Sequence, residues 1–542
     1  MAESKENLQM EKIVSLCKRR GFVFQSSEIY GGLNGFWDYG PLGAELKRNV
    51  KELWWNAMTR QRDDVAGLEA TIIMSPKIWE ASGHVATFSD PMIDCKTCKG
   101  RFRADQTDEI ACPQKPSKCV NECHGEKTEA RAFNLMFQTY VGPTATAADI
   151  AYLRPETAQA IFAQFKNVLE TSRQKVPFGI AQVGKAFRNE VTPRNFTFRS
   201  REFEQMELEF FIKPDEVIEA IHGSVATVPE TGHPGEPQPN WGWQVWHQYW
   251  VEERVRFYEG IGLSRETLGF HHQTPAELAH YARACTDILF KFPFSKKDAT
   301  GNVTGDELEG IAARSDFDLS QHQRFSGKPM GVFDDELRAA WAKLPKGKSD
   351  ALWKRYYDNR KNYLTKSAKP DETPEQISQQ ATDDANGLAK GQYIPHVIEP
   401  SAGVDRLILA LIANAYSETT KTDDKGKSET IYVMKFHPRV APIKAGVLPL
   451  LKNKPELVKK ALAVRDLLRP WMNVYYDDGG SIGKRYARQD EAGTPFCVTI
   501  DFDTLGEKPE LLDTVTVRYR DDGRQERLKI SELLDFLLSK IR

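Results

Sequence analysis

The sequence predicts an α+β protein: a large N-terminal domain, a compact α/β domain at the C-terminal end, and a small cysteine-bearing insertion. Three observations lead there. Strand-like alternation and helix-like periodicity are interspersed without an internal repeat. Five of the eight cysteines fall between positions 95 and 123, and four strand-like runs separated by helical patterns close the chain. With 542 residues there is enough chain for two or three substantial cores.

Taken in order, the start "MAESKENLQMEKIVSLCKRRGF" is charged and helix-patterned and lacks the apolar centre of a signal peptide. From Gly21 to Pro76 a strand or loop leads into the turn "YGGLNGFWDYGPLG". The helix "AELKRNVKELWWNAM" follows, with Leu46, Val50, Leu53 and Trp54 on one stripe. Residues 90–130 hold the cysteines, and a mixed stretch over 131–213 contains "AFRNEVTPRNFTFRSREFEQMELEFF", residues 186–211. Residues 214–300 read as helical, broken by the loop "VPETGHPGEPQPNWGW". Residues 333–391 read as polar, lysine-rich helix with "KPDETPEQ" as an exposed turn, so 214–392 forms a helical, insertion-rich region. The polar run "SETTKTDDKGKSET", residues 417–430, marks a domain boundary. Beyond it "TIYVMKF", "WMNVYYDD", "PFCVTIDF" and "TVTVRYR" are strand-like, with helical patterns such as "ELVKKALAVRDLLRPW" between them.

A hydrophobic fraction of 40%, a charged fraction of 28% and a net charge of −2 exclude a strongly basic nucleic-acid-coating protein, while leaving room for a local recognition patch. No apolar run reaches the roughly 18 residues of a membrane-spanning helix, so no membrane association and a cytoplasmic location are expected. In a reducing compartment, clustered cysteines favour metal over disulfides. "CKTC" at 95–98 has the spacing of a tetrahedral thiolate site for zinc. Cys112, Cys119, Cys123 and His124 offer more donors than one zinc needs. Cys95, Cys98 and Cys112 are the expected ligands, with Cys123 as the fourth because it precedes a His-Gly turn, and Cys119 as the alternative.

The segment 186–211 poses the functional question. Arg188 and Glu190 share one face; on the return Phe203, Gln205 and Glu207 share a face, while Met206, Leu208 and Phe210 share the other. A strand pair built only for stability buries apolar side chains, because an unpaired buried charge is costly. Arg188, Glu190, Arg199, Arg201 and Glu207 therefore either form cross-strand ion pairs or face a ligand. That ligand would need anionic parts, hydrogen-bonding parts and a flat apolar surface. A nucleotide has all three: arginine forks grip phosphate, a glutamate accepts from an adenine amino group, and phenylalanine covers the ring.

The same segment resembles motif 2 of class II aminoacyl-tRNA synthetases, with Phe187-Arg188-Asn189-Glu190 at its start and Arg199 to Phe203 on its return. "YGPLGAELKRNVKELWW", within about 39–60, resembles motif 1 with Pro41, and "EPSAGVDRLILALI", about 399–413, resembles motif 3 with Arg406. "WEASGHVATFSDPMIDC", "FNLMFQTYVGP" and "YLRPETAQAIFAQFKNV" extend the resemblance over nearly the whole chain, to the dimeric glycyl-tRNA synthetase family. One departure is Ala160 in "RPETAQA", where that family usually has glycine.

The resemblance implies a catalytic domain over 1–425, built on an antiparallel sheet with flanking helices, and an anticodon-binding domain over 430–542. It implies a homodimer that binds ATP with Mg²⁺, glycine and tRNA(Gly), carries a structural zinc, forms glycyl-adenylate and transfers glycine to the tRNA 3′ end. Arg188, Glu190 and Arg406 would be catalytic. Arg188 would hold the α-phosphate and the glycine carboxylate, Asn189 and Glu190 would line the adenosine side, and Arg199 and Arg201 would meet the outer phosphates. Phe203 and Arg406 would sandwich adenine, with Phe198, Leu308, Gly403, Val404 and Asp405 completing the nucleotide site. Glu307 and Glu399 would hold Mg²⁺. For glycine, Glu156 and Glu207 would clamp the ammonium and Ser401 would press near the Cα. Glu204, Gln205, Met206, Glu399 and Gly403 would line this pocket with Arg188 and Phe203, and Arg103 and Arg314 would organise it.

Overall fold

The computed structural model describes residues 5–108, 110–122, 124–230, 232–279, 281–297, 302–368, 372–422 and 428–541. A seven-stranded sheet organises the N-terminal domain. Its strands are β1 (Val65–Gly67), β2 (Phe178–Phe187), β3 (Glu202–Ile212), β4 (Leu268–His272), β5 (Ala284–Phe290), β6 (Asp306–Ser315) and β7 (His396–Gly403). The order is β4–β5–β6–β7–β3–β2–β1, antiparallel at every pairing except the parallel edge between β2 and β1. The antiparallel sheet matches the expectation, but the helical reading of 214–300 does not. Helices occupy Asp215–His222 and Trp243–Gly260, after which β4 and β5 join the sheet, followed by β6. "ACTDILF" does alternate buried and half-buried positions, but its flanking loops dilute that period.

The helices of this domain include α1 (Pro41–Trp55), α2 (Ala158–Thr171), α3 (Trp243–Gly260), α4 (Lys346–Lys366), α5 (Pro374–Gly387) and α6 (Val404–Ala415). Met206, Leu208 and Phe210 of β3 bury against Leu46, Val50 and Trp54 of α1, Trp246 and Trp250 of α3, and Leu407 of α6. The opposite face of β3 begins equally dry: Phe211 packs with Phe178, with Phe162 and Phe165 of α2, and with Tyr356 of α4 in a second core. Moving back along that face, the side chains become Glu209, Glu207, Gln205 and Phe203.

The insertion is a three-stranded sheet (Ser89–Asp94, Arg101–Arg103, Arg131–Asn134) beside the hairpin strands Ala111–Cys112 and Lys115–Cys119. The polar run at 417–430 is not a bare linker. Tyr416–Thr422 pairs with Ser428–Met434 as an antiparallel hairpin, so "TIYVMKF" turns back on the catalytic domain. The C-terminal sheet comprises β8 (Ala445–Pro449), β9 (Val474–Tyr476), β10 (Phe496–Ile500), β11 (Thr514–Tyr519) and β12 (Gln525–Lys529) around its own core. Its order is β9–β8–β10–β11–β12, parallel across the first three strands and antiparallel after. Sequence alternation missed β8, where glycine and proline interrupt "AGVLP", and β12, whose "QERLK" is mostly charged.

Gly184 of β2 shows how tightly the sheet is covered near its working end. Arg154 lies across it, with Nε donating to the Lys185 carbonyl at 2.6 Å and Nη1 to the Ala70 carbonyl at 3.1 Å and to Gln182 Oε1 at 3.0 Å. A Cβ at 184 would stand 2.1 Å from Arg154 Nη2. Gly184→Ala should therefore evict Arg154 and cost about 1–3 kcal/mol, read as a lower urea midpoint; an unchanged midpoint would mean that Arg154 swings aside freely.

Candidate active site

A cavity of about 280 Å³ opens on the polar face of β3, β6 and β7. At one end stand Arg188, Glu190, Phe198, Arg199, Phe203, Glu307 and Arg406; at the other stand Glu156, Glu207, Tyr281, Arg314, Glu399 and Ser401. β2 stops at Phe187, so Arg188 and Glu190 lie just beyond it on the connection to β3. That connection is pinned through its backbone. Arg188 N donates to the Arg201 carbonyl at 2.9 Å, Asn189 N to the Leu135 carbonyl at 2.7 Å, and Arg201 N to the Gly35 carbonyl at 2.8 Å.

Three buried polar atoms on this cavity lack a hydrogen-bond partner: Glu190 Oε2, Arg199 Nη1 and Gln205 Oε1. Each such atom costs about 1–3 kcal/mol when left unpaired, so their convergence on one space is a binding signature. Burial lowers the Arg199 pKa, and Glu190 opposes that shift. Phe203 and Arg406, the two expected faces of the adenine site, both line the cavity. The Arg406 guanidinium lies 4.7 Å from the Phe198 ring centre and Nε donates to the Phe198 carbonyl at 3.3 Å, while Nη1 pairs with Glu307 at 3.3 Å. Phe203 sits beneath Arg188, 5.4 Å from the guanidinium carbon.

At the acidic end, Glu207 accepts from the hydroxyls of Thr157 and of Ser401, the latter at 2.9 Å. Glu156 accepts from Gln159 Nε2 at 3.0 Å and lies 3.3 Å from His84 Nε2. Burial alone would raise Glu156, but His84 and Arg314 outweigh it and hold the carboxyl well below its ordinary range. Arg314, with only 3% of its side chain exposed, forks to both oxygens of Glu399 at 2.9 and 2.8 Å and to both oxygens of Asp318 at 2.9 and 3.0 Å. Glu207, Glu209 and Glu399 bring one oxygen each within 4.8 Å of one another. Both oxygens of Glu209 are buried without a partner, and burial followed by repulsion from Glu399 pushes its pKa far up. That direction favours the neutral form of Glu209.

Several expected residues lie elsewhere. Met206, Leu308 and Val404 belong to the apolar core behind the sheet. Glu204 faces α1, where it pairs with Lys47 at 3.0 Å and Lys51 at 2.7 Å. Asp405 reaches the cavity rim, but its carboxylate is taken by Tyr39 at 2.6 Å, Lys47 at 2.8 Å and the Glu204 amide at 2.7 Å. Among the described residues, Asn189, Arg201 and Arg103 do not line the cavity. Arg201 braces the Glu190 and Asn34 carbonyls, and Arg103 pairs with Asp90 and Asp105. Both oxygens of Glu399 accept from Arg314 Nη1. Asp287, which Gln273 holds at 3.0 Å, stands beside Glu307. A Cβ on Gly310 would lie 3.5 Å from Asp287 Oδ1 and 4.0 Å from Glu307 Oε1. Gln273, Tyr281, Asp287, His84 and Glu209 were not anticipated. Reading "CTDIL" as a strand would have found Asp287, but no local signal marks His84 or Tyr281.

In the insertion, the Cys98 thiol is raised by burial, with Cys95 and Cys112 beside it adding to the shift. Gly125 and Gly100 pack on these thiols, since a Cβ would stand 2.7 Å from Cys95 Sγ and 3.3 Å from Cys98 Sγ respectively. Cys123 lies outside the described residues. Cys119 ends the hairpin strand, its amide donating to Glu122 at 3.2 Å.

An antiparallel sheet that carries a strand–loop–strand with inward arginines, next to a strand that enters a helix through Gly403, is the core of a class II aminoacyl-tRNA synthetase. Residues 145–231 match the family described as tRNA synthetase class II core domain (G, H, P, S and T), and residues 444–540 match the anticodon binding domain. The glycine–tRNA ligase of Treponema denticola is 42% identical, the match covering 99% of this chain and 98% of that protein. Those of Thermobifida fusca and Thermus thermophilus are each 41% identical over 98% of this chain and 98% and 99% of their own lengths. The chain belongs to the glycine–tRNA ligase family.

The raised Glu209 carboxyl has a consequence for stability. A buried acid raised above its unfolded value of about 4.5 stabilises the fold below that pH, and the contribution is lost as pH climbs through the folded value. Glu209→Gln lacks that loss, so its melting temperature should gain on the parent's between pH 5 and 9, by about 2 °C or more. Parallel pH profiles in thermal melts would mean that Glu209 is not the proton carrier.

Proposed function

We propose that this chain activates glycine with ATP, forming glycyl-adenylate and pyrophosphate, and passes the glycyl group to the 3′ end of tRNA(Gly). The observation that carries the reading is one small cavity with orphaned cationic and amide groups at one end and a buried carboxylate cage at the other. Membership of the glycine–tRNA ligase family supports it. The glycine ammonium sits between Glu156 and Glu207, and Ser401, bound to Glu207, stands near the Cα. The glycine carboxylate lies toward Arg188 and is already ionised at neutral pH, so no general base is needed. It attacks the α-phosphorus in line as pyrophosphate departs. Arg188 and Arg199 then stabilise the charge that builds on the phosphoryl oxygens, and catalysis is positioning plus electrostatics.

Mg²⁺ is a hard cation that neutralises phosphate charge, and Glu307 with Asp287 is the carboxylate pair suited to hold it. Residues 444–540 supply the tRNA anticodon contact. A homodimer assembled through α1 accords with the resemblance to motif 1, and Ile29 and Tyr30, each 87% exposed on the loop before α1, suit a covered surface. Cys95, Cys98 and Cys112, with Cys123 as fourth thiolate, form a donor set that suits structural zinc.

The decisive assay is amino-acid-dependent pyrophosphate–ATP exchange across all twenty amino acids. Glycine alone should support it; exchange with a different amino acid would overturn the pocket assignment. Arg188→Ala should lower glycine-dependent exchange by about 100-fold or more with unchanged circular dichroism. Elemental analysis should find one zinc per chain, lost in Cys98→Ser while glycine-dependent exchange persists. Zinc retained in that variant would remove Cys98 from the site.

A further inference from the structure

A second cavity of about 230 Å³ lies behind the acidic end of the first, bounded by Arg283, Asp316, Tyr356, Arg360, Tyr363 and His396. Tyr281 lines both. Most other walls of the acidic end come from regular structure: Glu207 from β3, Arg314 from β6, Glu399 and Ser401 from β7, with Glu156 just before α2. Tyr281 comes from the connection between β4 and β5. It also touches the residue on which that end is organised. Its ring centre lies 4.0 Å from the Arg314 guanidinium carbon, closer than Phe162 at 5.5 Å.

We infer that Tyr281 is a specificity-determining residue, whose ring both partitions the amino-acid pocket from the space behind it and locks the Arg314 fork that fixes Glu399. This rests on the proposed glycine-activating reading. Arg314 spends Nε, Nη1 and Nη2 on Asp318 and Glu399, so it acts on the substrate through the position of Glu399. A guanidinium held only by two carboxylates can pivot about them; an aromatic face against its plane removes that freedom. The partition matters because glycine offers no side chain to recognise. A pocket that can yield discriminates a single methyl group only modestly, whereas a wall that cannot move makes overpacking costly. With the ring removed, the space on the far side of the partition becomes room for a side chain.

The test is steady-state pyrophosphate–ATP exchange with glycine and with alanine for the parent, Tyr281→Phe, Tyr281→Leu and Tyr281→Ala. Tyr281→Phe keeps the ring and should retain the parent KM for glycine and the exclusion of alanine. Tyr281→Leu fills the partition without an aromatic face; it should raise the glycine KM while still excluding alanine. Tyr281→Ala should raise the glycine KM and admit alanine, so that the glycine-to-alanine ratio of kcat/KM falls at least tenfold, about 1.4 kcal/mol. The KM for ATP should stay at the parent value in all three. Undiminished selectivity in Tyr281→Ala would overturn the inference. So would a loss in Tyr281→Phe equal to that in Tyr281→Ala, because the hydroxyl would then be the active part. If Tyr281→Ala fails to fold by thermal melt, the glycine KM of Tyr281→Leu decides, and a parent-like value overturns the clamp. A parent enzyme without glycine-dependent exchange would overturn the functional reading itself, a result distinct from all of these.

Discussion

Along β3, each single-residue step moves a side chain between an apolar core and an ionic cavity, and the folding of the N-terminal domain has to respect that register. Met206, Leu208 and Phe210 face the helices, while Gln205, Glu207 and Glu209 face the site. A slip of one residue would bury the carboxylates among tryptophans and turn the aliphatic side chains into the cavity. The pairing is fixed from both sides, with Glu207 opposite Gln182 on β2 and Ser401 on β7. It is also fixed from beneath. Lys47 of α1 bridges Glu204 and Asp405, and Asp405 in turn accepts from the Glu204 amide. One buried lysine thus ties α1, β3 and the start of α6 at a single point.

The acidic end accepts an electrostatic burden that a structure selected for stability alone would avoid. Glu156, Glu207, Glu209, Glu399 and Asp318 crowd around Arg314, and burying charge is costly unless it is paired. The arrangement distributes that cost unevenly. Arg314 pairs with Glu399 and Asp318, hydroxyls hold Glu207, His84 and Gln159 hold Glu156, and Glu209 is pushed toward its neutral form. What remains is negative potential in a largely buried space, the environment that a small ammonium group fits.

Much of this was legible in "FEQMELEFF", because period-two alternation separates its charged and apolar positions without any tertiary information. The same rule shows why neighbours in a signature string need not share a task. Glu204 and Met206 fall between Phe203, Gln205 and Glu207, and alternation sends them to α1 and the core. The strands from 268 to 315 were harder to read. β4 and β5 are short, their loops are rich in histidine, proline and polar residues, and half of their alternation is only partial burial. Tyr281, His84 and Asp287 act through partners distant in sequence, and no local pattern encodes a contact between Tyr281 and Arg314. The stacking of Arg406 on Phe198 was likewise invisible, because motif order says which residues meet a ligand but not which ring each guanidinium rests on.

The make-up of the cavity wall also bears on what kind of inhibitor could occupy it. Nearly every contact it offers is an ion, a hydroxyl or an amide, with Phe198, Phe203 and Tyr281 as the main aromatic surfaces. A tight competitor would have to carry a cation for the carboxylate cage and an anion for the arginines within one short molecule. Such zwitterions cross lipid poorly, so potency against the isolated protein and entry into a cell would pull a medicinal chemist in opposite directions. The aromatic floor beneath Arg188 is where apolar affinity could be added without disturbing either charge.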